Sequence, residues 1–510
     1  MLKHAANVSD VRSSGVAKSA RPAASDRISS DTGMLRVLTC GSVDDGKSTL
    51  IGRLLWDAAD LPEDTREAID RSVDADGIPD VSLLLDGLEA ERSQGITIDI
   101  AWRYVDLDAR RFVFIDCPGH EQYTRNMATG ASQADAAIML VDARQGIKPQ
   151  TKRHAAILQL VGIRNVILVV NKMDLVGWSD AVFSGIAAQF EELAGRFEFN
   201  HAIAIPIAAR HGDNVARRSE QMPWYSGPTL LTALKQLKTA VMVGDAAFRF
   251  PVQSVLRDGK DFRGLAGTVA SGEVQVGDEI VEVLSGQRAI VKRISTFDGD
   301  LERAIAGAAV AIELTADLDI ARGGMLSSIQ QPATVGRDIE AKIVWLADEA
   351  PGQIGLLLRT VTDLVPVASF AVTSTLDLTT MEPVKAHTCG PNDIADARIE
   401  LGRGVALDRF PENRATGHFI LIDALSGATV AGGVVTSINT FAQADKSSRF
   451  RLSRALLAAT VCADLPRSQR PDAEFRRRAA EVAFLLSAAG VKIDLESLDN
   501  DIYQNEGSGI

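Results

Sequence analysis

Eight consecutive residues, Gly41-Ser42-Val43-Asp44-Asp45-Gly46-Lys47-Ser48, have the types and spacing of a loop that cradles phosphate. Gly41 and Gly46 permit backbone angles that let successive N–H groups converge on a β-phosphate, helped by the positive end of a following helix. In that role Lys47 reaches the β- and γ-phosphate oxygens, Ser48 offers its hydroxyl to Mg²⁺, and Thr49 opens the helix. A second group, Asp116-Cys117-Pro118-Gly119-His120, suits the other side of the same ion: Asp116 holds Mg²⁺ through water, and Gly119 turns its N–H toward the γ-phosphate. A third, Asn171-Lys172-Met173-Asp174, suits the base. The Asp174 carboxylate can accept from both N1–H and the 2-amino group of guanine, a donor pair that adenine lacks, so it selects GTP over ATP. Asn171 would tie this loop to the phosphate loop, and the Lys172 stem would cover the base. A solvated Asn-Lys-Asp turn is common by itself; three motifs in this order are not.

These groups need rigid elements to position them. Apolar runs precede each one, Leu35 to Leu38, Arg111 to Ile115 and Val166 to Val170, so each motif reads as the loop after a buried strand. From residue 34 to about 240, such runs alternate with helical patterns, which predicts an α/β domain with a doubly wound, mostly parallel sheet. The polar, acidic stretch from Asp57 to Leu85 reads as a mobile connection. Beyond it, short Gly-punctuated strands fill residues 245 to 331 and predict a small closed β-barrel. Residues 337 to 441 read as all-β. In 442 to 510 the pattern turns helical, over Phe450 to Ala463 and Asp472 to Ala489, while residues 1 to 33 read as a disordered tail.

The segment Gly95-Ile96-Thr97-Ile98 resembles the first switch of translation-factor-class GTPases. That resemblance implies that Thr97 gives its hydroxyl to Mg²⁺ and its N–H to the γ-phosphate, that His120 orients the attacking water, and that Val43 and Ile96 form an apolar gate beside His120. The likeness narrows further in the run Leu38 to Leu55, in Pro118 to Met127, in Met222 to Leu231, and in Thr296-Phe297-Asp298-Gly299-Asp300. These segments resemble the GTPase subunit of bacterial sulfate adenylyltransferase, over roughly residues 34 to 440. The resemblance implies a second barrel over 337 to 441. It also implies GTP and Mg²⁺ as cofactors, and a hetero-oligomer with a small ATP-cleaving subunit that makes adenosine 5′-phosphosulfate from ATP and sulfate. Two departures stand out. The loop facing the guanine oxygen is Ala208-Ala209 instead of Ser-Ala, which leaves its backbone N–H contact available but puts affinity in doubt; an Arg-Gly-Asp turn is replaced by Arg322-Gly323-Gly324.

Composition narrows the alternatives. A net charge of −13 disfavours nonspecific attraction to nucleic acid, which weighs against the competing reading of an elongation-factor-like GTPase that delivers an RNA ligand. Cys40, Cys117, Cys389 and Cys462 lack metal-ligand spacing and read as reduced thiols of a cytoplasmic protein; no apolar run reaches membrane-span length. The stretch Arg470 to Gly490 resembles the central helix of adenylylsulfate kinase. With no second phosphate loop after residue 240, it reads as a degenerate remnant.

Overall fold

The computed structural model describes residues 34–439, apart from 60, 74–76, 85–98, 108–109, 238–245, 259–261, 352–354 and 362, together with 450–451 and 493–494. Six strands form the first sheet: β1 (Leu35–Cys40), β2 (Ala101–Leu107), β3 (Arg110–Asp116), β4 (Ala136–Asp142), β5 (Asn165–Asn171) and β6 (His201–Pro206), in the order β2-β3-β1-β4-β5-β6. All pairings are parallel except β2 with β3. The parallel strands are apolar on both faces because helices cover both sides, and β4 is buried at every residue. Two cores result, one on each face: Leu38, Met139 and Leu168 belong to one, Val37, Ile138 and Val169 to the other. The flanking helices are α1 (Lys47–Ala58), α2 (Glu63–Asp70), α3 (Thr124–Ser132), α4 (Pro149–Leu160), α5 (Asp180–Arg196) and α6 (Leu230–Gln236).

The connection from Asp57 to Leu85 differs from the mobile segment expected of its composition. It carries α2 and a 3₁₀ turn at Val81–Leu84, with Ile69 4% and Val81 1% exposed. One apolar contact per turn is enough to dock a helix whose other faces stay polar, and averaged composition hides such a pattern. Gly52 in α1 makes the docking possible, because a Cβ there would lie 2.0 Å from the Val81 carbonyl oxygen.

The next strands are antiparallel: β7 (Arg249–Asp258), β8 (Phe262–Thr268), β9 (Glu273–Gln275), β10 (Glu279–Glu282), β11 (Arg288–Thr296), β12 (Gly299–Leu301), β13 (Arg303–Ile305), β14 (Ala309–Leu314) and β15 (Met325–Ser328). Six of them close on themselves in the order β10-β15-β7-β8-β14-β11, with β10 returning to β11. A second ring follows, from β16 (Thr334–Trp345), β17 (Leu356–Arg359), β18 (Leu364–Asp377), β19 (Glu382–Lys385), β20 (Ile394–Leu407), β21 (His418–Asp423) and β22 (Thr429–Asn439). Its order is β17-β21-β22-β16-β20-β18, closed by β17 with β18. Closure removes the unpaired edges that an open antiparallel sheet would leave.

A separate unit spans 439–510. Its described part is one parallel pair, β23 (Phe450–Arg451) with β24 (Ile493–Asp494). Phe450 and Arg451 are therefore strand where the sequence pattern begins a helix; the remaining helical expectations, like the tail at 1–33, lie outside the described residues.

Candidate functional site

Each strand of the parallel sheet ends at a polar residue or loop on the same side. β1 runs into Gly41–Gly46, β3 ends at Asp116, β4 at Asp142, β5 at Asn171, and β6 leads to Ala208 and Ala209. Register does the rest: Thr39 lies beside Asp116, and Asp142 beside Asn171. In open α/β sheets this carboxyl edge is where ligands bind.

The phosphate loop is braced by its own residues. Asp45, 1% exposed, accepts the Ser42 N–H at 2.6 Å through Oδ2, and Lys148 Nζ stands 3.6 Å from its Oδ1. Burial pushes the Asp45 carboxyl up from its ordinary range, and Lys148 opposes that. Gly46 has φ +91°, the left-handed region, and a Cβ there would lie 2.4 Å from Asn171 Nδ2. Asn171 Nδ2 donates to Asp45 O at 2.8 Å while its Oδ1 accepts from Ala209 N–H at 3.0 Å. One side chain thus joins three loops. Lys47, 7% exposed, donates to the carbonyls of Gly41 at 3.2 Å and Ser42 at 2.9 Å, and burial lowers its pKa.

Asp116 accepts from Thr39 Oγ1 at 2.8 Å and from Ser48 Oγ at 3.3 Å. Cys117, Pro118 and Gly119 are buried behind it, and a Cβ on Gly119 would strike Lys47 Nζ at 2.4 Å. His120 is exposed; its Nδ1 accepts from Gln122 N–H at 3.3 Å. The neutral ring then carries its proton on Nε2, which is left as a donor. Its neighbour Glu121 pairs with Arg153 at 2.6 Å and accepts through its backbone carbonyl from Asn392 of the second barrel at 3.2 Å.

At the other end, Lys172 sits at φ +62° with its Nζ on Asp44 O and 3.1 Å from Asp142. Met173 is buried below it. Asp174, with a side chain 14% exposed, borders a cavity of about 370 Å³ together with Gly46, Thr49, Lys172, Leu175 and Ala209. Ala208 and Ala209 are both buried, with Ala208 bridged to Asp213. Val43 is half-buried at the loop. Every residue expected from sequence thus falls on this one edge, except Thr97 and Ile96, which lie outside the described residues.

Several participants carried no motif. Asp142 receives Arg144 at 2.6 Å as well as Lys172; burial alone would raise its pKa, yet these hydrogen bonds hold it well below the usual carboxylate range. Arg53 of α1 donates to Ala209 O at 3.2 Å and to Arg210 O, bracing the Ala208-Ala209 loop. Pro79, Asp80 and Val81 supply a cavity wall. Asp142 had one readable signal, a carboxylate ending an otherwise apolar strand.

Residues 32–254 match the Elongation factor Tu GTP binding domain family, and residues 338–436 the GTP-eEF1A C-terminal domain-like family. Among curated proteins, the chain is 46% identical over 416 residues to "Sulfate adenylyltransferase subunit 1" of Shewanella oneidensis, covering 79% of this chain and 86% of that one. It is 43% identical over 415 residues to the protein of the same name from Psychromonas ingrahamii, covering 80% and 88%. It is also 47% identical over 408 residues to "Bifunctional enzyme NodQ" of Rhizobium sp., where the match covers 79% of this chain and 63% of the relative.

Proposed function

The chain belongs to the sulfate adenylyltransferase subunit 1 family, and from that premise we propose that it hydrolyses GTP to drive adenylyl sulfate formation from ATP and sulfate. The transfer itself takes place on a separate, small ATP-cleaving subunit of a hetero-oligomer. The observation that carries this reading is the Asn171 bridge, which fastens the Asp174 loop, the Ala208-Ala209 loop and the phosphate loop around one cavity.

In this reading Asp174 accepts the guanine N1–H and 2-amino donors, and the Ala208-Ala209 backbone faces the base oxygen. Lys47 leaves its own loop carbonyls for the β/γ-phosphates, exchanging neutral acceptors for charged ones. Gly41 to Thr49 surround the phosphates with N–H donors. Ser48, Asp116 and Thr97 are hard oxygen donors suited to Mg²⁺, and the Ser48–Asp116 contact of 3.3 Å leaves both on one side of the phosphate loop. Mg²⁺ held there would neutralise charge on the β- and γ-phosphate oxygens. His120, presenting an Nε2 donor, orients the attacking water; Gly119 points its N–H at the γ-phosphate, and Cys117 and Pro118 hold it in place. Coupling requires contacts that differ between the GTP and GDP states. The Asn392–Glu121 bond and the donation from Arg125 to Leu346 O at 3.3 Å run from beside His120 into the second barrel, and support such a route. Delivery of an RNA ligand gains no support from these relatives or from the charge of −13.

The test is GTP hydrolysis by the chain with and without the separate adenylyl-transferring subunit, ATP and sulfate, following adenylyl sulfate in the same reaction. Substrate-stimulated hydrolysis is expected, with product formation lost without GTP and in His120→Ala. Product formation indifferent to GTP would overturn the proposal.

A further inference from the structure

One wall of the cavity beside Asp174 comes from the connection between α1 and the first switch, not from a nucleotide-loop motif. Val73 bridges Pro79, and Asp80 N–H donates to Ser72 O at 3.0 Å, which sets Pro79 and Asp80 against Ser72 and Val73. Val81 is then pressed onto Gly52 of α1. This places Pro79, Asp80 and Val81 on the same cavity as Gly46, Thr49, Lys172 and Asp174.

The chemistry of a guanine nucleotide fixes what occupies that part of the cavity. With the base on Asp174 and the phosphates on Gly46 to Ser48, the ribose is the covalent link and lies between them, alongside Thr49 and the Pro79–Val81 wall. Its two hydroxyls are donors, and an ionised carboxylate within reach is a stronger acceptor than water; Asp80 stands exposed at the rim of the cavity. Among the described residues, Asp80 and Asp174 are the two carboxylates bordering the cavity, and Asp174 is engaged by the base. Asp80 Oδ1 accepts from Ser82 N–H at 3.1 Å and Ser82 Oγ at 2.6 Å, which caps the 3₁₀ turn. An ionised carboxylate still has a second oxygen to offer. We infer that Asp80 accepts the ribose hydroxyls of the bound guanine nucleotide and makes the site prefer ribonucleotides to their deoxy forms. This rests on the guanine-nucleotide reading given above.

The capping role and the ribose role separate by substitution. Asp80→Ser retains an N-cap acceptor for the turn and removes the second oxygen. The experiment is titration calorimetry of the full chain, wild type and Asp80→Ser, with GTP, 2′-deoxy-GTP and 3′-deoxy-GTP. Wild type is expected to bind at least one deoxy analogue about tenfold more weakly than GTP, the size of one charge-assisted hydrogen bond. In Asp80→Ser, GTP itself weakens by about tenfold and the ratio between GTP and that analogue falls to within about twofold of unity. Equal binding of all three nucleotides by the wild type overturns the inference without any variant. So does an unchanged ratio in Asp80→Ser. Failure of the wild type to bind GTP at all overturns the guanine reading and this inference with it.

Discussion

Two groups of buried charge have opposite character. Where the two barrels meet, Arg249 and Asp408 are each 5% exposed and fully partnered: Nε and Nη2 of the arginine both reach the carboxylate at 2.9 Å. Nη1 takes Ser327 Oγ, Phe248 O and Gln331 O, and Thr416 donates to the same carboxylate at 2.6 Å. At the phosphate loop, Ser42 Oγ and Asp45 Oδ1 are buried with no hydrogen-bond partner among the described residues, and the buried Lys47 donates to the carbonyls of its own loop. Buried polar atoms are costly unless satisfied. The barrel joint meets that cost internally, so it holds the fold; the phosphate loop meets it only in part, with Lys148 Nζ 3.6 Å from Asp45 Oδ1.

Five changes break or sharpen this contrast. The largest effect falls on the joint: Arg249→Ala strands a buried carboxylate and should cost about 3–5 kcal/mol, seen as a lower urea midpoint with GTP affinity unchanged. Pairing Arg249→Met with Asp408→Leu should recover only part of that loss, since it removes the stranded charge but leaves Thr416 Oγ1 and the Phe248 and Gln331 carbonyls without their partners. At the ligand site the pattern reverses. Asp174→Asn should leave the melting temperature in place yet weaken GTP by about a hundredfold or more, from two lost charge-assisted bonds. A loss below tenfold would mean the base does not sit there.

Gly52→Ala probes the wall between the two kinds of region. Its Cβ would meet the Val81 carbonyl at 2.0 Å, so overpacking of about 1–3 kcal/mol should outweigh the better helix propensity of alanine. GTP should weaken a few-fold as Pro79 and Asp80 shift, measured by calorimetry beside thermal melting. Near neutral pH the smallest effect belongs to His154 of α4, which is 0% exposed with Nδ1 unpartnered among the described residues, and it grows only in acid. Burial pushes its pKa down to about 3 from 6.5. The unfolded chain therefore binds a proton that the folded chain refuses between those values. Stability falls as pH drops below about 6.5 and stops falling near 3, by at most about 1.4 kcal/mol per unit. His154→Gln should flatten that limb of the melting-temperature curve; an unchanged slope would assign the acid sensitivity elsewhere.

The nucleotide loops were legible in sequence because each is contiguous and follows a buried strand, so residue type and element arrive together. Asp80 was not, because its relation to the cavity depends on how a polar connection folds back onto α1, and only Gly52 hints at that approach; nor was Arg53, whose partners Ala209 and Arg210 are remote in sequence. Asp142 lay between, marked by its strand end but not by a motif. The second barrel followed from resemblance; alternation showed strands, while closure depends on β17 meeting β18, which no local pattern encodes. The strand at Phe450–Arg451 was read as helix because two residues carry no period.

The most direct test of the central claim, that this edge is a guanine-nucleotide site, is calorimetric titration of the full chain with GTP and with ATP under identical salt and Mg²⁺. Binding of GTP at least about a hundredfold tighter than ATP is the predicted result, because Asp174 would be left facing a base without its donor pair. Equal affinities, or no GTP binding, would contradict it.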